Sequence, residues 1–310
     1  MIRFEGVSKH YPGADRPAVA DLDLAVDEGT TCALIGPSGC GKSTTLRMVN
    51  RLVEPDAGRV TVAGRDVAET DPTRLRRGIG YVLQGVGLFP HRSVAENVAT
   101  VPGLLGWKRA RMATRVDEML DLVGLDPTRY AHRKPAELSG GQRQRVGVAR
   151  ALAADPAILL MDEPFGAVDP VARDRLQEEI GAILRTLRKT VILVTHDIGE
   201  ALRMGDTVAL MRDGRLVQAD TPERLLAAPA DDFVESFLGG SRALRRLERL
   251  RVRDLASPEP APPPLPAIAP EASLREALDR MLATGATRLA AGPGSLSLDA
   301  VREAARLPEP

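Results

Sequence analysis

The chain has 310 residues, 44% hydrophobic and 27% charged, enough apolar material for one large domain plus a smaller unit. Lysine plus arginine and aspartate plus glutamate both number 42, so no global positive field supports binding to nucleic acid. No window approaches the roughly 18 apolar residues of a membrane span, and the opening MIRFEG lacks the apolar core of a signal peptide, which leads to the expectation of a cytosolic protein. The two cysteines, Cys32 and Cys40, suggest small-residue packing rather than a disulfide framework or a metal site.

Apolar runs at 2–7 and 22–26 read as strands, and TCALI at 31–35 as a buried one. GPSGCGKST follows, and its spacing fits the phosphate-binding pattern G-x-x-x-x-G-K-[ST], with Gly36, Gly41, Lys42 and Ser43 at the fixed positions. Glycines let successive N–H groups turn toward anionic oxygens, Lys42 adds a point charge, and Ser43 offers a hydroxyl ligand for Mg²⁺. A helix is expected over 43–52, with Leu46, Val49 and Leu52 on one face.

A strand at 79–83 ends the first half of the chain, and from about 90 to 154 helical periodicity takes over, with Val116, Met119, Leu120 and Val123 as one stripe. Within this insertion Ser139 of LSGGQ opens a helix whose N-terminal N–H groups can bind an anion. A strand at 157–161 then runs into Asp162, Glu163 and Pro164. A carboxylate there can hold the shell of Mg²⁺ and its neighbour can polarise water, which assigns Asp162 to metal and Glu163 to general base. Arg173 begins a helix to residue 187 with Leu176, Ile180, Ile183, Leu184 and Leu187 on its core face, and strands at 191–195, 207–211 and 216–218 follow. Strands alternating with helices predict an α/β fold around a mainly parallel sheet.

Near residue 241 the composition changes. SRALRRLERLRVRDL is an Arg-rich amphipathic segment with Leu244, Leu247, Leu250 and Leu255 on its apolar side, and PEPAPPPLPAIAP reads as a stiff linker. The arginine face is read as solvated, with contact to acidic lipid as the alternative. Leu274, Ala277, Leu278, Met281 and Leu282 then mark a further helix.

Taken together and in order, GPSGCGKST, Gln84 in YVLQ, LSGGQ, LLMDEP, Val168 with Asp169, and His196 in VTHD resemble the nucleotide-binding subunits of ABC transporters across residues 1–239. The resemblance implies a P-loop ABC-type ATPase with an N-terminal antiparallel β subdomain, a helical subdomain at about 90–154, and a small α-rich C-terminal tail. It implies that ATP and Mg²⁺ are the cofactors. The catalytic set would be Lys42, Gln84, Glu163 and His196, with Gln84 touching both Mg²⁺ and a membrane partner. Nucleotide would be held by Tyr11 stacking on adenine, by Gly36, Pro37, Ser38, Gly39, Cys40, Gly41, Lys42, Ser43 and Thr44, and by Ser139, Gly140, Gly141, Gln142 and Asp169 across a head-to-tail pair of copies. Metal would be held by Ser43, Gln84 and Asp162.

YVLQGVGLFPHRSVAENVATVPGLLGW, RVDEMLDLVGLDPTRY and VTHDIGEALRMGDTVALMRDGRLVQADTPERLL are similar to importer subunits for glycine betaine, choline, carnitine and proline. Importers for methionine, polyamines or sulfonates share much of this pattern. The expected setting is the cytoplasmic face of the membrane, with separate permease subunits and an extracytoplasmic substrate-binding protein. VRDL at 252–255, followed by ASLREALDRMLATGATRLAAGPG at 272–294, resembles part of a cystathionine-β-synthase-type module, assigned to 271–310 beyond a 240–270 connector. The hydrophobic strand pair and second repeat of such modules are not read there, so a degenerate docking tail and a working sensor both stay open. Chromosome-type relatives need a long coiled coil that is missing, and ribosomal ones carry two nucleotide domains in one chain. A binding-only regulator is disfavoured because Glu163 and His196 are both present.

Overall fold

The computed structural model describes residues 1–85, 87–166, 168–239, 242–258 and 265–306. The chain divides into two compact units, Met1–Thr221 and Pro222–Pro310. Residues 259–264 of the expected proline-rich connector, and 307–310 at the end of the expected module, lie outside the described residues.

In the first unit, β1 (Ile2–Lys9), β2 (Val19–Val26), β4 (Ala57–Val62) and β5 (Arg65–Asp66) form an antiparallel sheet in the order β2-β1-β4-β5. Phe4 stands opposite Leu24 on one side and Val60 on the other. Leu22, Leu24 and Val26 point inward while Asp21, Asp23 and Ala25 face out, the period-2 alternation of a sheet with one wet face. β3 (Thr31–Ile35), β6 (Ile79–Val82), β7 (Ile158–Asp162), β8 (Thr190–Val194), β9 (Thr207–Arg212) and β10 (Arg215–Asp220) make a second sheet in the order β10-β9-β3-β8-β7-β6. All pairings here are parallel except β9 with β10. Every residue of β3, β7 and β8 is buried, which is why they read as unbroken apolar runs.

Helix α1 (Lys42–Val49) touches β4 of the first sheet and β7 and β8 of the second. One apolar cluster therefore joins Phe4, Leu24 and Val60 to Leu34, Leu46, Leu160 and Ile192. The expected continuation of α1 to Leu52 does not occur. The helix closes at Asn50, Arg51 turns to φ 52, and Leu52 is exposed.

Helix α2 (Pro72–Arg77) is capped by Asp71. Between β6 and β7 come α3 (Val94–Val98), α4 (Thr100–Leu104), α5 (Arg109–Leu122), α6 (Pro127–Tyr130) and α7 (Gly140–Leu152), with no strand among the described residues. The stripe of Val116, Met119, Leu120 and Val123 is buried. α8 (Pro170–Thr186) starts three residues ahead of the expected Arg173 because Asp169 caps it, and it buries Leu176, Ile180 and Leu184 but leaves Leu187 exposed. α9 (Ile198–Met204) precedes β9.

The second unit contains α10 (Pro222–Ala227), α11 (Asp232–Leu238), α12 (Arg242–Arg249), α13 (Val252–Leu255), α14 (Leu274–Thr284) and α15 (Leu298–Ala305). Its core is Leu247, Val252, Leu274, Met281, Leu289, Leu296 and Val301, with Leu244, Leu250 and Leu255 packed against it. Three arginines of the Arg-rich helix are engaged inside this unit: Arg242 with Glu235, Arg249 with Glu223, and Arg246 donating to the Arg306 carbonyl. A strand pair was not expected here, yet β12 (Arg288–Ala291) and β13 (Gly294–Ser297) pair antiparallel, and β11 (Ala267–Ile268) adds in parallel. The pair escaped the sequence reading because RLAAGPGSLS supplies only Leu289, Ala291 and Leu296 as buried apolar side chains and no β-branched residue.

Candidate functional site

Strand order gathers the motifs. β3, β8, β7 and β6 lie side by side and run the same way, so the segments leaving their carboxyl ends share one edge of the sheet. Residues 36–44 leave β3, His196 follows β8 by two positions, Asp162 closes β7 with Glu163 next, and Gln84 follows β6 by two.

The loop at 36–44 wraps its own lysine. Lys42 Nζ, almost fully buried, donates to the carbonyls of Gly36 at 2.8 Å and Pro37 at 2.9 Å and lies 3.7 Å from Cys40 Sγ. Gly41 is required for space as well as for its φ of +104: a Cβ there would stand 2.2 Å from the Ala18 carbonyl. Burial pushes the Cys40 thiol above its usual value, against the pull of the Lys42 charge, and pushes Cys32 up to about 12.

Ser43 Oγ donates to Asp162 Oδ1 at 3.1 Å. Asp162 is 3% exposed, and that burial raises its carboxyl pKa, with the nearby Glu163 adding and Ser43, Arg47 and Lys42 opposing. A hydroxyl and a desolvated carboxylate this close are hard oxygen donors of the kind that suit Mg²⁺, and a divalent cation would supply the positive counter-charge that stabilises the buried carboxylate in its ionised form.

Glu163 sits at a left-handed backbone position, φ 46, with its N–H bonded to the Val194 carbonyl at 2.9 Å. That fixes the carboxylate between two neighbours: Gln84 Nε2 donates to Oε2 at 2.9 Å, and His196 Nδ1 lies 3.4 Å from Oε1. A cavity of about 490 Å³ is bounded by Ala18, residues 38–44, Glu163 and His196. Ala18 carried no signal in the sequence, since a small apolar residue in a loop looks like any other. The arrangement offers a buried ammonium, loop N–H groups and one carboxylate facing the same space, which can bind a polyphosphate and accept a proton beside it.

Tyr11 and Asp169 are not among the residues bounding this cavity, nor are 139–142. Tyr11 is exposed, with Lys9 Nζ 5.8 Å from its ring centre. Ser139 and Gln142 form a capping box at the start of α7, and Gln142 Nε2 also donates to the Tyr130 hydroxyl at 3.1 Å. A Cβ on Gly141 would meet nothing within 4 Å, so this helix tip faces open space. Asp169 Oδ1 accepts from the Ala172 N–H at 3.0 Å. Arg150, near the end of α7, was not singled out in the sequence; its Nη1 donates to the Gly87 carbonyl at 2.7 Å, tying α7 to the segment just past Gln84.

A family model described as ABC transporter matches residues 19–166. The chain is 51% identical over 286 residues to the glycine betaine uptake system ATP-binding protein YehX of Escherichia coli (strain K12), covering 92% of each. It is 49% identical over 263 residues to the osmoprotectant import ATP-binding protein OsmV of Salmonella typhimurium, across 84% of this chain and 69% of that one. Against the glycine betaine/carnitine/choline transport ATP-binding protein OpuCA of Bacillus subtilis (strain 168) it is 49% identical over 245 residues, and the match spans 64% of that protein's length. Among solved structures, the dimeric post-hydrolysis state of the ATP-binding cassette MJ0796 bound to ADP and Pi aligns with a TM-score of 0.63 and 32% identity, covering 72% of this chain and 99% of that one. With the glycine-rich loop at 36–44, the buried Asp162 and the Gln84–Glu163–His196 cluster on one sheet edge, the chain belongs to the ATP-binding subunits of ABC transporters, a family of ATPases.

Proposed function

We propose that this chain hydrolyses ATP in a head-to-tail dimer and couples the cycle to uptake of an osmoprotectant, a quaternary amine such as glycine betaine, choline or carnitine, or else proline, through separate permease subunits. It works at the cytoplasmic face of the membrane beside an extracytoplasmic substrate-binding protein. Identity of about half over most of the chain to proteins named for these solutes supports the cargo class. None of the described helices is long and apolar enough to cross a membrane, in keeping with a peripheral subunit.

The observation that carries the hydrolytic reading is the Glu163 carboxylate, held between Gln84 and His196 at the wall of the phosphate-loop cavity. Residues 36–44 cradle the phosphates, with Lys42 turning from its own loop carbonyls to the β and γ oxygens. Ser43 and Asp162, with Gln84, would hold Mg²⁺, which neutralises charge on the phosphates when bound. Glu163 accepts a proton from water as its oxygen attacks the γ phosphorus, and the bond electrons leave on the β oxygen of ADP. His196 contacts the γ phosphate and Tyr11 stacks on adenine. The exposed α7 tip at 139–142 caps the γ phosphate held by the other copy, with Asp169 bridging the two chains. Loss of that phosphate removes a ligand from the dimer interface, so the pair opens.

Glu163→Gln tests the reading. Turnover should fall by about a hundredfold or more while MgATP binding and nucleotide-dependent dimerisation persist. Unchanged turnover would reject Glu163 as the base, and uptake of labelled betaine and choline by the reconstituted complex decides the cargo.

A further inference from the structure

Behind His196 lies a buried polar network that the hydrolytic scheme does not use. Glu200, on α9 and 3% exposed, accepts at Oε2 from the Thr195 hydroxyl at 3.1 Å and from Gln177 Nε2 at 3.4 Å. The Thr195 oxygen in turn accepts from the Asp197 N–H at 3.0 Å, so this one hydroxyl pins both sides of His196. Gln177 is fully buried on α8, the helix that Asp169 caps, and its Oε1 accepts from Arg203 Nε and Nη2 at 3.2 and 2.6 Å. Arg203 also pairs with Asp174 at 2.6 Å. These bonds fix which end of the Gln177 amide faces Glu200: the oxygen is taken by Arg203, and the nitrogen is left to donate.

We propose that Glu200 is a positioning residue for the phosphate site, locking the His196 loop to the helix behind Asp169 through Thr195 and Gln177. The inference rests on the hydrolytic reading above. Glu200 acts as a neutral acid. Its Oε1 is buried without a hydrogen-bond partner among the described residues, a setting that tolerates a protonated carboxyl far better than half of a full negative charge. Burial pushes the group up to about 8, with Asp197 adding and the Thr195 hydroxyl, Arg173 and Arg203 opposing. β3, packed on α9, contributes one titratable group, Cys32, which is pushed up to about 12 and stays neutral across this range. Ionisation of Glu200 puts negative charge on the buried Oε1, which lacks a hydrogen-bond donor among the described residues, at a cost that Arg173 and Arg203 offset only in part, so the packing that holds the His196 loop loosens as water reaches this oxygen.

The test uses the full chain and follows MgATP turnover from about pH 6.5 to about pH 9 in the wild type, Glu200→Ala, Glu200→Gln and Thr195→Val. Glu200→Ala and Thr195→Val should each lower kcat about tenfold with KM for ATP unchanged, because phosphate binding does not pass through them. Glu200→Gln should recover most of the loss and lack the alkaline fall expected of the wild type near pH 8. The infrared carbonyl band of a protonated carboxyl should be present at pH 7, shift in Thr195→Val and vanish as pH rises through about 8. This band reads wild-type and Thr195→Val protein even if the Glu200 variants do not fold. An alkaline fall retained in Glu200→Gln, or no protonated band at pH 7, overturns the proposal. A wild type that hydrolyses no ATP but keeps the band would sink the hydrolytic reading instead.

Discussion

Glu200→Gln should change how stability depends on pH, and the sign follows from where the carboxyl titrates. Its ordinary value of 4.5 describes the unfolded chain, and burial moves it to about 8 in the folded one. A raised folded value means that stability is fully present below about pH 4.5 and is lost as pH climbs through about 8, because the unfolded chain releases the proton first. Each pH unit inside that window costs about 1.4 kcal/mol, so the wild type should lose roughly 3–4 kcal/mol from this group between pH 5 and pH 7.5. Glutamine carries no proton to release, and a side-chain carbonyl that accepts from Thr195 keeps the network bonded. The variant should thus gain about 3 kcal/mol relative to the wild type over the same interval. Urea unfolding checks this, read by the fluorescence of Trp107, the sole tryptophan, which lies in the same compact unit. A difference between the two proteins that stays flat within the ~1 kcal/mol error of extrapolation would refute a neutral Glu200.

Gly41→Ala should cost about 3 kcal/mol or more and abolish MgATP binding in calorimetry, since its Cβ would collide with the Ala18 carbonyl at 2.2 Å in a strained backbone region. Cys40, 4% exposed and with a raised thiol pKa, should react with maleimide far more slowly than a free thiol, and bound MgATP should slow it further; equal rates with and without nucleotide would count against the loop as a phosphate cradle. Leu120→Ala, at a fully buried position on α5, should lower the stability reported by Trp107 by about 2–5 kcal/mol in urea.

What the sequence disclosed depended on how much of each element is buried. β3, β7 and β8 read directly because every residue is inside. β4 did not: of AGRVTV only Val60 is buried, and Gly58 interrupts any alternation. α2 carries three arginines and one buried residue, Leu75, too little for a stripe. In the second unit, α12 and α14 were legible from spaced leucines, whereas β12 and β13 are built from small residues whose burial only the fold supplies.

The site divides along the same line. Residues 36–44 are legible because one loop contributes all its groups within nine positions, so spacing alone carries the chemistry. The clustering of Gln84, Glu163 and His196 is not, for Gln84 and Glu163 are 79 positions apart and no local pattern joins them. Their meeting follows from the order β3-β8-β7-β6, which sets the carboxyl ends of parallel strands in a row. Two observations then explain why the cluster is rigid enough to matter. Glu163 is held by a bond from its N–H to the Val194 carbonyl of β8, and His196 is held by Thr195, which leans on Glu200 and through it on α8. The carboxylate follows β7 and the imidazole follows β8, yet both are anchored to β8, Glu163 through its N–H bond to Val194 and His196 by leaving that strand directly, so a loosened His196 loop disturbs the contact between them. This is why substitutions at Thr195 and Glu200, which line no part of the cavity, should register in kcat and leave KM for ATP alone.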